Sequence, residues 1–419
     1  MTSARIIVDR LPGYTRTALL KDGILTDLFV DDIEDSSPQP GAVVRGRVER
    51  IFPERNRASL DIDGVPASMR IGDANHPRPG EMLVATVTAQ AREGKPLQLR
   101  RGIFRVGRYV IIESGKAELR LSMGLREAGY VPPEDLLAAI SSFTVTLRRA
   151  ANGADIEHLR AELNEFTTWG EMVCNLQSSG PAVMVPARSG TEEALLLEPD
   201  AELMMDDDGR AWEEFGLEDA LEEALATTVP LPAGGVIHIS TPPGAAVIDG
   251  DSGADTISPM PLALAMVPQA ARHLRLRRIG GPVVIDFPRL GGKDRRRISQ
   301  LMADAVYDDP CRPRCHGFTE GGLFTLTRPW RWRSLSADMA PGPAQIGRDA
   351  LRLARNYGVR TPERPVEICL PSAGLAWLEG QGASYRQQVE GGLALPPRFR
   401  SDSSVVHAMA QDIVPVRKS

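Results

Sequence analysis

Ala245-Ala246-Val247-Ile248-Asp249-Gly250-Asp251-Ser252-Gly253 and Gly280-Gly281-Pro282-Val283-Val284-Ile285-Asp286-Phe287 decide how this chain is read. Each is a β-branched apolar run ending in an acidic residue, the pattern of a buried strand that delivers a carboxylate at its C-terminal end. Neighbouring strands lie about 4.8 Å apart, so pairing of the two aims Asp249 and Asp286 at one place. Asp251 follows Asp249 by two residues and falls on the same face of extended chain. Three converging carboxylates repel one another unless a cation joins them. A hard divalent ion with oxygen ligands, Mg²⁺ or alternatively Mn²⁺, is the natural partner. Any one of these aspartates alone fits the plainer role of helix N-cap or turn former. Two matched strand ends with a third Asp at i+2 shift the balance toward the metal.

The rest of the composition bounds the answer. A length of 419 residues suits two to four domains, and 42% hydrophobic with 25% charged residues is ordinary for a globular chain. No apolar run is long enough to span a membrane. The N-terminus, Met1-Thr-Ser-Ala-Arg-Ile-Ile-Val-Asp-Arg10, reads as a strand and not as a signal peptide. Cys174, Cys311, Cys315 and Cys369 make no disulfide framework, which leaves the cytoplasm as the expected compartment. A net charge of −6 gives no global polyanion signal, so any such binding falls to local patches. Arginines crowd 100–108, 148–149 and 272–278, and Lys293 opens another run with Arg295, Arg296 and Arg297. The last two clusters flank Asp286, and cations beside carboxylates suit a phosphate-bearing substrate. A solvated helix face is the alternative for Arg295 to Arg297.

Along the chain, residues 1–38 read as three short strands. Closely spaced strands with Gly turns over 41–101 predict a small closed barrel such as an OB-fold. Residues 109–165 mix strands with helices over 133–142 and 156–169. The segment 170–228 reads as a strand, an acidic loop at Asp206-Asp207-Asp208-Gly209 with the composition of a hairpin turn, and an acidic helix over 213–226. Strands and helices alternate over 231–332. Pro341-Gly342-Pro343 marks a linker, followed by a helix over 345–357 and a small α/β piece with a basic tail.

The run Val229-Pro-Leu-Pro-Ala-Gly-Gly-Val-Ile-His-Ile, the two acidic segments with Ala271-Arg-His-Leu-Arg-Leu-Arg-Arg-Ile between them, and Gly322-Leu-Phe-Thr-Leu-Thr-Arg328 resemble, in order and spacing, the catalytic core of the ribonuclease E/G family. The resemblance implies an α/β multidomain architecture: an OB-fold β-barrel inserted in a reduced RNase H-like domain, then a DNase I-like α/β catalytic core and a small C-terminal α/β domain. The implied boundaries are 1–38 and 169–228 for the split RNase H-like part, 39–108 for the barrel and 109–168 for a 5′-sensor-like domain. The core takes 229–336 and the last domain 344–419.

The same resemblance implies a metal-dependent endoribonuclease hydrolysing single-stranded RNA, with Asp249 and Asp286 holding Mg²⁺. Asp251 stands where the family has an Asn that orients the attacking group. Arg148 falls on a sensor arginine for a 5′-monophosphate, and Arg149 replaces a threonine there. Lys95, Arg100 and Lys293 are the further RNA-binding candidates. Leu60 and Met69 occupy the positions of two base-stacking aromatics, a loss of about 1–3 kcal/mol per base. The family's zinc-linking cysteines have no counterpart near 333–343, so zinc is not expected, and any homo-oligomer would form without a zinc link. Cys311 and Cys315 with His316 read as ordinary free thiols beside a histidine. A non-catalytic RNA-binding or assembly protein on a diverged scaffold is the alternative, and a nuclease for structured RNA is a third.

Overall fold

A computed structural model of the chain describes residues 3–72, 76–92, 94–134, 136, 140, 142–176, 180–232, 234–253, 257–340, 342–405 and 413–415, the last three as backbone only. The helix expected over 133–142 lies largely outside these residues.

The two acidic strands sit in the middle of a six-stranded sheet. Its order is Thr228–Pro230, Val236–Ser240, Ala246–Asp251, Gly281–Asp286, Phe324–Arg328 and Arg314–Phe318. Ala246–Asp251 and Gly281–Asp286 run parallel, and the other neighbours pair antiparallel. A parallel pair needs a crossover, here the helix Pro259–Leu276. Its Leu262, Met266, Ala270 and Leu274 recur at helical spacing and enter the core. The cross-strand row Ile239, Ile248, Ile285 and Phe324 belongs to the same core and is fully buried or nearly so. Arg328 closes this sheet: buried, it holds Asp309 through two bonds of 2.7 and 3.1 Å and the Ile279 carbonyl at 3.0 Å.

Strands Ala4–Leu11, Tyr14–Lys21 and Ile24–Asp32 form an antiparallel meander, and Glu202–Asp206 adds to it in parallel beside Ala4–Leu11. The acidic loop after that strand is not a hairpin turn. Asp206 instead accepts the N–H groups of Ala211 and Trp212 at 3.2 and 2.9 Å, and Asp208 accepts that of Arg210 at 3.1 Å. The carboxylates satisfy the orphan amides of a helix start, a competition that composition alone does not decide. The acidic helix is two pieces, Arg210–Glu214 and Leu217–Leu225, broken where Gly216 takes φ 58°.

The helix Pro343–Arg360 precedes a sheet in which Val366–Leu370 lies between Arg398–Ser401 and Ile413–Pro415. It is tied to the meander through Asp9, which is 1% exposed. Arg352, Arg355 and Arg16 reach that carboxylate at 2.6, 2.8 and 2.9 Å. Burial alone would raise the Asp9 carboxyl, but these guanidiniums hold it well below the usual carboxylate range.

All of these elements belong to one compact unit, Met1–Asp35, Asp200–Pro329 and Ser334–Ser419. The second is Ser36–Pro199 with Trp330–Arg333. There, Val43–Phe52, Arg57–Ile62, Val65–Arg70, Leu97–Arg101 and Met82–Ala89 pair in that order and close when Met82–Ala89 returns to Val43–Phe52. This is a closed five-stranded barrel, consistent with an OB-fold. A separate sheet, Glu118–Leu121, Phe143–Leu147, Val110–Ser114 and Phe104–Val106, is accompanied by the helix Ile156–Asn175. Strand Ala182–Val185, expected in the second half of the split domain, pairs with the barrel strand Val43–Phe52 instead.

Candidate functional site

The parallel register sets Asp249 directly opposite Asp286. Directly opposed residues share a face, so the two exposed carboxylates stand on one side of the sheet. They also mark the C-terminal ends of the parallel strands, where open α/β sheets place their ligands. Gly250 between Asp249 and Asp251 permits this. A Cβ there would meet the Met266 sulfur and terminal methyl, so a larger residue would have to drive that buried side chain aside.

Asp251 does not complete a third corner. It lies opposite Val236, and its Oδ1 accepts the Gly253 N–H at 2.8 Å. That is a turn-forming carboxylate, the plainer role weighed above. Among the described residues, no three His, Cys, Asp or Glu side chains converge as a metal cage. The expected three-carboxylate convergence is therefore reduced to the pair Asp249–Asp286.

The register also reveals a residue that sequence reasoning missed. Asp249 is opposed on its other side by His238, and His238 in turn by Thr228. Thr228, His238, Asp249 and Asp286 thus form one exposed cross-strand row. The Thr228 Oγ1 lies 3.0 Å from the His238 Nδ1. Alternation in Val236-Ile-His-Ile-Ser240 puts His238 on the solvent face, but only the antiparallel pairing puts it beside Asp249.

The basic clusters around Asp286 part company. Arg272 bonds Glu223 and the Leu25 carbonyl, and Arg275 bonds Asp27 and the Asp308 carbonyl. Arg277 donates to the His273 Nδ1 and the Glu223 carbonyl, and Arg278 to Asp338 and the Leu28 carbonyl. This cluster secures the crossover helix to the Ile24–Asp32 strand and its surroundings, so the expected phosphate-facing role is corrected. Between these arginines His273 is fully buried, and burial followed by Arg277 and Arg272 pushes its pKa down to about 3. After Asp286, Arg289, Lys293, Arg296 and Arg297 stand at or near the surface, whereas Arg295 turns back to the Leu290 carbonyl.

In the other unit, Leu60 and Met69 are 0% exposed and lie in the barrel core. They are not on a binding face, so the inference of two lost stacking platforms is withdrawn. Alternation explains it: neighbours Ser59, Asp61, Ser68 and Arg70 face outward. Arg100 pairs with Glu113 and lies over the Phe104 ring, 4.3 Å from its centroid. Lys95 is exposed next to Arg92, its backbone bridging partner. Arg148 is half-buried, with its guanidinium on the Gly107 carbonyl, and Arg149 is exposed. Arg108, Tyr109 and Val110 N–H groups all point at the Glu162 carboxylate, at 2.6, 2.7 and 2.9 Å.

Cys311 is buried and Cys315 half-buried, both as free thiols, and burial raises the Cys315 thiol. His316 bonds the Thr327 hydroxyl at 2.9 Å. Among the described residues no helix is long and apolar enough to cross a membrane.

Residues 196–331, which contain the whole exposed row, match the Ribonuclease E/G family. Ribonuclease G of Salmonella typhimurium is 23% identical over 396 residues, 78% of this chain and 80% of that protein. The chain is thus similar to ribonucleases of the E/G family over most of its length. Ribonuclease G of Escherichia coli is likewise 23% identical over 395 residues, covering 78% of this chain and 80% of its own. Ribonuclease E of Nostoc sp. is 31% identical over 166 residues, 37% of this chain and 24% of its own. The ribonuclease E/G match holds Asp249, Asp251, Asp286 and Lys293, whereas Lys95, Arg100, Arg148 and Arg149 lie outside it.

Proposed function

We propose that the chain is a metal-dependent endoribonuclease of RNA processing or decay, hydrolysing phosphodiester bonds of single-stranded RNA in the cytoplasm. One observation carries this reading: two exposed carboxylates in register at the ends of parallel strands, inside the segment that matches the family. Two acidic groups at this spacing repel each other, and among the described residues no cationic side chain is bonded to either. The donor set fits Mg²⁺, which is commonly held by one or two carboxylates together with substrate phosphates and waters, rather than by a protein cage. Asp249 and Asp286 would hold the ion, which when bound supplies Lewis acidity and a water of lowered pKa. The chain's own residues do the rest. Arg289, Lys293, Arg296 and Arg297 attract and orient the phosphate backbone. Asp251, fixed by its Gly253 bond, shapes the turn beside the carboxylates and so sets how closely the RNA approaches.

A second reading, a non-catalytic RNA-binding or assembly protein, draws on the four arginines of 272–278 being consumed internally. Incubating the protein with 5′-monophosphorylated single-stranded RNA, with Mg²⁺ or with EDTA, separates the two. Cleavage with Mg²⁺ and none with EDTA supports the endoribonuclease. Binding without cleavage in Mg²⁺ and in Mn²⁺ supports the second reading.

A further inference from the structure

We infer that His238 contacts the phosphate processed at the Asp249–Asp286 pair, as a substrate-binding residue of this chain; the inference rests on the endoribonuclease reading. His238 stands one strand over from Asp249 and two from Asp286, in the same exposed row. Adjacent strands lie about 4.8 Å apart, so a phosphate lying along the row spans from the carboxylates to the imidazole. The row is otherwise short of donors. Two carboxylates offer acceptors only, and a phosphate beside them needs hydrogen-bond donors as well as a cation.

The ring is held for such a task. The Thr228 hydroxyl lies 3.0 Å from Nδ1; in the tautomer where it donates to that nitrogen, Nε2 carries the ring's proton and is free to donate to a phosphate. Thr228 is the next member of the row, so the strand register itself fixes ring, carboxylate and carboxylate in line. A packing role does not account for His238, because the side chains that fill the core from this strand are its neighbours Ile237 and Ile239.

The test measures cleavage of a short 5′-monophosphorylated single-stranded oligoribonucleotide with Mg²⁺, and its affinity, for His238→Ala, His238→Gln, Thr228→Val and Asp249→Asn. His238→Ala should lower kcat/KM by about ten-fold or more, the scale of a lost hydrogen bond to a charged group, with an unchanged Tm. His238→Gln, which restores an amide donor, should recover part of the loss, and Thr228→Val should lose about three-fold as the ring loosens. Wild-type kcat/KM in His238→Ala, with Asp249→Asn inactive, overturns the inference and leaves the endoribonuclease standing. Undiminished cleavage by Asp249→Asn overturns the endoribonuclease reading itself. If the protein binds the oligonucleotide without cleaving it, His238→Ala must still weaken affinity, and equal affinity overturns the phosphate contact.

Discussion

The arginines of 272–278 and the basic run of 293–297 each bring four cationic side chains and lie on either side of the same acidic strand, yet they meet different surroundings. The first set is spent on internal partners: Glu223, Asp27, Asp338 and the carbonyls of Leu25, Leu28 and Glu223. In the second, Lys293, Arg296 and Arg297 meet solvent at the start of the helix Gly292–Ala305. The difference lies in what faces each one. The C-terminal turn of the crossover helix meets strand Ile24–Asp32, whose carbonyls and Asp27 need donors in a dry setting. The first turn of the later helix meets water. A charge cluster is thus a structural clamp or an open, solvated face according to the element it faces, and its sequence alone does not say which.

The sharpest way to break this contrast is to remove one clamp. Arg278 and Asp338 have side chains 8% and 9% exposed. Arg278→Ala should destabilise the protein by about 3–5 kcal/mol in denaturant unfolding, because it takes the guanidinium from a buried carboxylate and from the Leu28 carbonyl. A loss under about 1 kcal/mol would make the clamp equivalent to a surface pair. His273 tests the same region through pH. Its folded pKa of about 3 lies below its ordinary 6.5, so the unfolded state binds the extra proton between those values. Stability should therefore fall as pH drops from about 6.5, by up to roughly 1.4 kcal/mol per pH unit. Asp9, whose pKa is also lowered, acts only near and below its ordinary 3.8, whereas burial raises the Asp349 carboxyl, which opposes the loss above that value, so the histidine's share is read from the difference between wild type and a His273 variant. His273→Gln should flatten that slope in unfolding curves at fixed pH, and an unchanged slope would place the titration elsewhere.

Gly250→Ala probes the boundary between core and site. Driving Met266 aside should cost about 1–3 kcal/mol and lower cleavage at the neighbouring Asp249. Full stability would mean that the helix shifts freely. The smallest stability effect belongs to the open cluster. Arg296→Ala with Arg297→Ala should change stability by less than about 0.5 kcal/mol. The same pair should flatten the salt dependence of RNA affinity by about 0.7 in log–log slope for each phosphate the variant no longer neutralises. An unaltered slope would return both residues to a plain solvated face.

Much of the core is legible in the sequence because alternation and β-branching are local signals. Val283 to Ile285 and Ala246 to Ile248 announce their strands, and their acidic ends mark the site. Register is not legible. Nothing local says that His238 faces Asp249, or that Asp251 turns to the Gly253 amide. Leu60 and Met69 show that a matched position is not a matched face, since a shift of one residue in a strand exchanges inside for outside. The break at Gly216 escaped the reading of 213–226 as one helix, and the carboxylates that cap the first of the two pieces have the composition of a turn.

The central claim is that Asp249 and Asp286 act as a pair while Asp251 serves the turn beside them. Mg²⁺-dependent cleavage of one 5′-monophosphorylated RNA by Asp249→Asn, Asp286→Asn and Asp251→Asn tests it most directly. The first two should each lose at least about a hundredfold in kcat/KM, the scale of a lost Lewis-acid contribution. Asp251→Asn, which keeps the acceptor for the Gly253 N–H, should retain cleavage within about three-fold. Equal loss in all three would contradict the pair and restore a three-carboxylate site; retained cleavage in Asp249→Asn and Asp286→Asn would remove the row from the chemistry altogether.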